Sequence, residues 1–274
     1  MRVIYIASAA HSGSTILDMM LNAHPKIISV GEVLKLNNVK YWKSGDVKVT
    51  RCSCGASGLL QCAFWSRVNA WIKETYGKSL ADLNVDDYRR RDVANEPNTL
   101  LFRAISEVSG KKFIVDSSKS PHRLDYLLRR EELNVYPVHL VRRPEGQIAS
   151  VVDRFGILQS IFRYEVVNAQ TRQRLKSVPH GFVRYEDLVL EPKRTLQELL
   201  EPLGLEFDPI QLTWAEQPKH SFAGNHARWQ TKSELVLDEN WKHRLSPSQR
   251  LLIDVGTILS RSSAPRSQAR KLGS

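Results

Sequence analysis

Residues 3–15, VIYIASAAHSGST, run an apolar segment straight into a loop of small residues and a helix start. Val3, Ile4, Tyr5 and Ile6 form a short apolar run suited to a buried central strand. Ser8 to Ser14 is almost entirely small, and Ile16, Leu17, Met20 and Leu21 mark one face of the helix that follows. Backbone N–H groups in such a turn point outward, and the helix dipole adds partial positive charge at its start. Gly13 lets the chain approach an anion closely, while Ser12, Ser14 and Thr15 add hydroxyl donors. The loop suits a phosphate or sulfate. An ordinary strand–turn–helix is the plainer reading of the same residues.

The loop departs from the nucleotide-triphosphatase pattern G-x-x-x-x-G-K-[ST]. Ser8 stands in place of the first Gly and Ser14 in place of the Lys. Without that Lys, chelation of a β,γ-phosphate with magnesium is disfavoured.

Strand candidates recur at 3–7, 112–115, 135–141 and 181–184, each followed by a helical pattern (17–23, 123–130, 144–152 and 193–203). Such alternation predicts an α/β fold, a parallel sheet covered on both faces. Ligands of these sheets bind beyond the carboxyl ends of the strands. Ser8–Thr15, Asp116–Lys119 and Arg142–Ser150 then share one edge. Lys119 reaches the site from a strand end, where its ammonium would meet developing negative charge; a solvated helix-start lysine is the alternative. Arg142 and Ser150, eight residues apart, suit a phosphate monoester through bidentate charge and one hydroxyl donor. Arg143 is expected to point to solvent.

The chain has 274 residues, 42% hydrophobic and 25% charged, which suits one globular domain over 1–262. Residues 37–98 read as a partly irregular, partly helical insertion shaping a substrate site, and 263–274 as a disordered basic tail. The net charge of +11 steers anions toward the surface. No nucleic-acid-binding motif accompanies it. No apolar run nears the ~18 residues of a membrane span, and no signal peptide is evident, so a cytoplasmic location is expected. Cys52, Cys54 and Cys62 fall within one short stretch. Reduced structural thiols, one local disulfide, or a metal with one further ligand all remain open, although C-x-C-x7-C lacks the usual paired C-x2-C spacing.

Taken in order, these motifs resemble the sulfotransferases that use 3′-phosphoadenosine 5′-phosphosulfate (PAPS). HSGSTILDMMLNAHPKIISVGE, from His11 to Glu32, is similar to the opening of the tyrosylprotein and bacterial small-molecule branches. RYEDL at 184–188 and the stretch from Trp241 to Ser246 extend the similarity over about residues 1–250. The resemblance implies a P-loop-like three-layer fold with a central parallel sheet. It implies that His11, Ser12, Gly13, Ser14 and Thr15 cradle the 5′-phosphosulfate, while Arg142 and Ser150 hold the 3′-phosphate. Lys119 falls where the family contacts the transferred group, and Glu32 at the position of the catalytic base. Arg228 and Lys242, in basic aromatic segments, are added at the adenine and 3′-phosphate end. The departure is His11, where the family usually has Lys or Arg.

The implied reaction is in-line sulfuryl transfer to a hydroxyl of an unknown acceptor, with His11, Lys119 and Glu32 as catalytic groups and no metal required. Adenosine 3′,5′-bisphosphate (PAP) leaves. A P-loop kinase and a nonenzymatic anion-binding protein are the alternatives. Trp42, Trp65, Trp71, Phe155 and Phe162 are candidates for an apolar acceptor pocket, with plain core packing as the competing reading. The sequence leaves oligomeric state open.

Overall fold

The computed structural model describes residues 1–36, 51–86 and 96–258. Trp42 and the tail at 263–274 lie outside them. Five parallel strands build one sheet: β1 (Arg2–Ser8), β2 (Ile27–Ser29), β3 (Phe113–Lys119), β4 (Val135–Val141) and β5 (Gly181–Arg184), ordered β2-β3-β1-β4-β5. From β1 the chain winds first to the β2–β3 side and then to the β4–β5 side. The winding reverses beside β1, where such sheets open a crevice at their carboxyl edge.

Alternation along β1 divides the core. Val3, Tyr5 and Ala7 face a cluster carrying α2 (Ala63–Tyr76), α3 (Pro97–Ser109) and α4 (Pro121–Leu128). Ile4 and Ile6 face α1 (Ser14–Ala23) and the 192–200 helix. All five of these strand side chains are buried, as a two-sided sheet requires. Trp65 lies at the centre of the first cluster, and Trp71 packs against it. Both tryptophans pack with the core, and neither is among the residues lining the cavity at the carboxyl edge of the sheet.

Two expectations shift. The third strand continues through Lys119, because the Asp116–Ser118 stretch is buried and bonded to the protein. The helix read over 144–152 stops at Ala149, and a second short helix starts at Val152. Ser150 N donates to Gln147 O at 3.1 Å, a tightened last turn that sets Ser150 at the helix end.

Candidate active site

All five strands contribute their carboxyl ends to one cavity of about 640 Å³, β5 through Tyr185. Ligand sites commonly measure about 300–1,000 Å³. His11, Gly13, Ser14 and Thr15 line it after β1, Glu32 after β2, Lys119 at the end of β3, and Arg142 and Ser150 after β4. Eight of the residues singled out in the sequence thus meet in one place.

The loop after β1 is shaped by Gly13, which caps α1 at φ 92°. A Cβ there would lie 2.5 Å from the Tyr185 ring. No side chain caps α1, so the start of the helix stays open toward the cavity. The hydroxyl of Ser12, although buried, has no hydrogen-bond partner among the described residues. Ser12 is not among the lining residues, so the donors open to the cavity are the uncapped helix start with Ser14 and Thr15, a set that an anion satisfies. Gly13→Ala combines backbone strain with a ring clash, and should destabilise the protein by about 1–3 kcal/mol, read by thermal melting. A change under 0.5 kcal/mol would contradict that steric account.

Glu32 is held tightly. Gly31 at φ 77° brings the chain against Phe222, whose carbonyl would lie 2.4 Å from an added Cβ. Glu32 N donates to the same carbonyl at 3.4 Å, and Ser117 N donates to Gly31 O at 2.9 Å. Across the cavity, Lys119 Nζ donates directly to Glu32 Oε1, forming an ion pair. The register between β1 and β3 slips between Tyr5↔Asp116 and Ala7↔Lys119, a bulge that re-aims Lys119. Lys119 itself sits at φ 70°.

Four described non-glycine residues have positive φ: His11, Lys119, Asn134 and Ala223. Three of the four line this cavity. Such backbone costs about 1–3 kcal/mol per residue and concentrates where function requires it.

Arg142 is almost buried. Its guanidinium donates to His11 O at 3.1 Å and to Asp238 Oδ2 at 2.8 Å, and lies 4.6 Å above the Tyr185 ring. Burial is the largest single influence and works to raise the Asp238 carboxyl, but the hydrogen bonds from Arg142 and Asn240 and the Arg142 charge together outweigh it and hold the group below the usual carboxylate range. Ser150 Oγ donates to Gly146 O at 2.9 Å. The His11 imidazole titrates below its ordinary value. Loss of surrounding water is the largest cause, followed by the charges of Lys119, Arg142 and Arg154, with Glu32 opposing them.

Other expected residues lie elsewhere. Arg228 is buried and is not among the residues lining the cavity, with its guanidinium 4.2 Å over Trp229 and Nη2 donating to Arg51 O at 3.5 Å. Lys242 is exposed and paired with Glu239 at 2.7 Å. Neither Phe155 nor Phe162 lines the cavity; Phe162 is exposed, and Phe155 stacks under Arg154 and Arg163. Arg143, expected in solvent, donates to Glu186 Oε1 through both N (3.0 Å) and Nε (3.2 Å).

Tyr185, Asp238 and the Ala223–Ala227 loop also line the cavity, the loop running into the basic aromatic segment that carries Arg228. Asp18, on α1 beneath it, is fully buried and accepts from Ser29 Oγ at 2.6 Å. Burial pushes its carboxyl up to about 7, against hydrogen bonds from Ser29 and Ser117. A carboxylate between Leu17 and Met19 on the apolar face of α1 was the available signal. No helix among the described residues is long and apolar enough to cross a membrane.

Comparison with known proteins agrees with this architecture. The sulfotransferase domain of the curacin biosynthetic pathway superimposes with a TM-score of 0.60 at 21% identity, covering 93% of this chain and 96% of that one. The sulfotransferase domain of the Synechococcus PCC 7002 olefin synthase gives a TM-score of 0.51 at 19% identity, with 93% and 94% covered. A Mycobacterium avium sulfotransferase gives 0.51 at 11% identity, with 96% and 77% covered. These likenesses concern the fold. No curated protein matches the chain. The family model described as the Sulfotransferase family matches residues 4–209, spanning the sheet and all three strand-end clusters, and the chain belongs to that family.

Proposed function

We propose that the protein transfers a sulfuryl group from PAPS to a hydroxyl of an acceptor, with Glu32 as general base. The observation carrying this reading is the Glu32–Lys119 pair, set in one cavity with an uncapped helix start and Arg142. The residues suit the donor. Its 5′-phosphosulfate would lie on the 11–15 loop, against the open N–H groups and the Ser14 and Thr15 side chains that line the cavity. Its 3′-phosphate would meet Arg142 and Ser150. Bound PAPS supplies the activated sulfuryl group. Arg228 and Lys242 are left out of this assignment, since neither lines the cavity.

The ion pair has a mechanistic reading. While the cavity holds no anion, Lys119 neutralises Glu32. A bound phosphosulfate competes for the Lys119 ammonium and draws it toward the transferred group. Glu32 is then free to accept the acceptor's proton. Positioning and charge stabilisation account for most of the rate in transfers of this kind.

Arg142→Ala removes a nearly buried guanidinium and should weaken PAP binding by about 10–100-fold, as expected for lost hydrogen bonds to a charged group. Calorimetric titration of the two proteins tests this. Equal affinities would remove Arg142 from the nucleotide site.

His11 makes binding depend on pH. Its pKa is lowered in the free protein, and an adjacent dianion raises it. Binding therefore takes up a proton. Affinity is full at acid pH and is lost as the pH rises through the bound-state value. The ligand's own phosphate ionisation works the other way and is shared by all variants. His11→Lys keeps a fixed charge, so the ratio of its PAP affinity to that of wild type should rise between pH 6 and 8. A ratio independent of pH would contradict the assignment of His11 to the cradle.

A further inference from the structure

We propose that Cys52, Cys54, Cys62 and His220 form a closed structural zinc site that anchors the segment leading into the Ala223–Ala227 wall of the cavity. The four candidate ligand atoms all lie within 4.8 Å of one another, and Cys62 Sγ and His220 Nδ1 are 3.3 Å apart. A tetrahedral zinc with bonds of about 2.0–2.3 Å places its ligand atoms about 3.5–3.8 Å apart. Seating the ion needs only small side-chain adjustments. Three thiolates and one imidazole are the soft donor set that selects zinc over magnesium or calcium.

The backbone is arranged to present these groups. Cys52 and Cys54 lie in a tight turn, with Gly55 N donating to Cys52 O at 3.0 Å and Gly55 at φ 95°. Cys62 caps the start of α2. His220, 158 residues further on, is fixed by stacking on Phe64 at 5.0 Å, and its carbonyl accepts from Trp65 Nε1 at 2.7 Å. Those contacts aim Nδ1 at the thiols. The three cysteines are not joined in disulfides, and Cys54 is exposed while Cys52 and Cys62 are buried. Simple apolar packing gives no reason for an exposed thiol and an imidazole to converge on two buried thiols. A disulfide would leave one thiol and the imidazole without a role.

The location gives the site its consequence. Ser53 N donates to Ser221 O at 2.9 Å, just beyond His220. Phe222 follows, against Gly31, and then Ala223 to Ala227, which line the cavity. An ion at the cluster ties the 51–62 segment and α2 to the strand of chain that closes over Glu32. The inference needs no catalytic step through the metal and is independent of the identity of the sulfuryl donor.

The test is metal content and metal binding of the full chain, purified without a metal-binding tag. The expected result is about one zinc per chain by elemental analysis, and a fall in melting temperature on chelation that added zinc restores. Replacement by Co²⁺ should give thiolate-to-cobalt charge-transfer bands and the visible spectrum of a tetrahedral ion. Cys54→Ser, at the exposed ligand, should weaken zinc binding by about a hundredfold or more, because a structural site depends on every ligand, while Ser53→Ala should retain the metal. A chelated chain that fails to take up zinc or Co²⁺ overturns the proposal. So does a disulfide among the three cysteines in the freshly isolated protein.

Discussion

Glu32→Gln should lower acceptor-dependent release of PAP by about 10²–10⁴-fold, the range for losing a positioned general base. The substitution keeps the size of the side chain and removes its negative charge, and with it both the ability to accept a proton and the ion pair with Lys119. PAP affinity should stay within a few-fold of wild type, because Glu32 repels the anion and does not bind it. The split between turnover and binding is the informative readout. A variant turning over within about threefold of wild type would remove Glu32 as the base. Parallel collapse of PAP binding would give it a structural role instead, consistent with its bond to Phe222 and its pair with Lys119.

The second large effect lies behind the site. Arg123 and Asp116 form an ion pair in which both side chains have no exposure. Arg123 Nε meets Asp116 Oδ2 at 2.8 Å, Nη1 donates to Val85 O at 2.9 Å, and Nη2 donates to Asn98 Oδ1 at 2.8 Å. Asp116 also accepts from Ser118 N at 3.0 Å, one residue before Lys119. The network joins the end of β3 to Val85 and Asn98 of the insertion. Arg123→Met strands a buried carboxylate and should cost about 3–5 kcal/mol. At about 2–4 °C per kcal/mol for a chain of this size, melting should fall by about 6–20 °C. Adding Asp116→Leu should recover part of the loss, since a buried pair contributes less than its rupture costs. A single-variant loss under about 1 kcal/mol would mean that the network is not what holds β3 to the insertion.

The strand-end residues were legible in sequence because local pattern determines them. A buried run followed by a small-residue loop fixes β1 and the α1 start, and the carboxyl-edge rule then groups Lys119, Arg142 and Ser150 with that loop. Gly31 and Glu32 were read by family resemblance, and the structure brings Glu32 to the same cavity. What escaped depended on contacts far apart in the chain. Tyr185 matters because its ring fills the space that Gly13 leaves. Asp238 matters because the chain returns to Arg142 after 96 residues. The burial of Arg228 also escapes local pattern, because its guanidinium packs over Trp229 inside the fold. Helical spacing likewise does not distinguish core-facing Trp65 from a pocket residue, and Trp65 takes the core packing offered as the competing reading. His220 lies too far from the cysteines for spacing to reveal it.

The central claim is that the cavity holds PAPS, so the decisive measurement is calorimetric titration with PAP and with ATP, in EDTA and again with magnesium. The account predicts micromolar PAP binding that is unchanged by magnesium, with ATP at least about tenfold weaker. No PAP binding, or magnesium-dependent binding of ATP in its place, would contradict it.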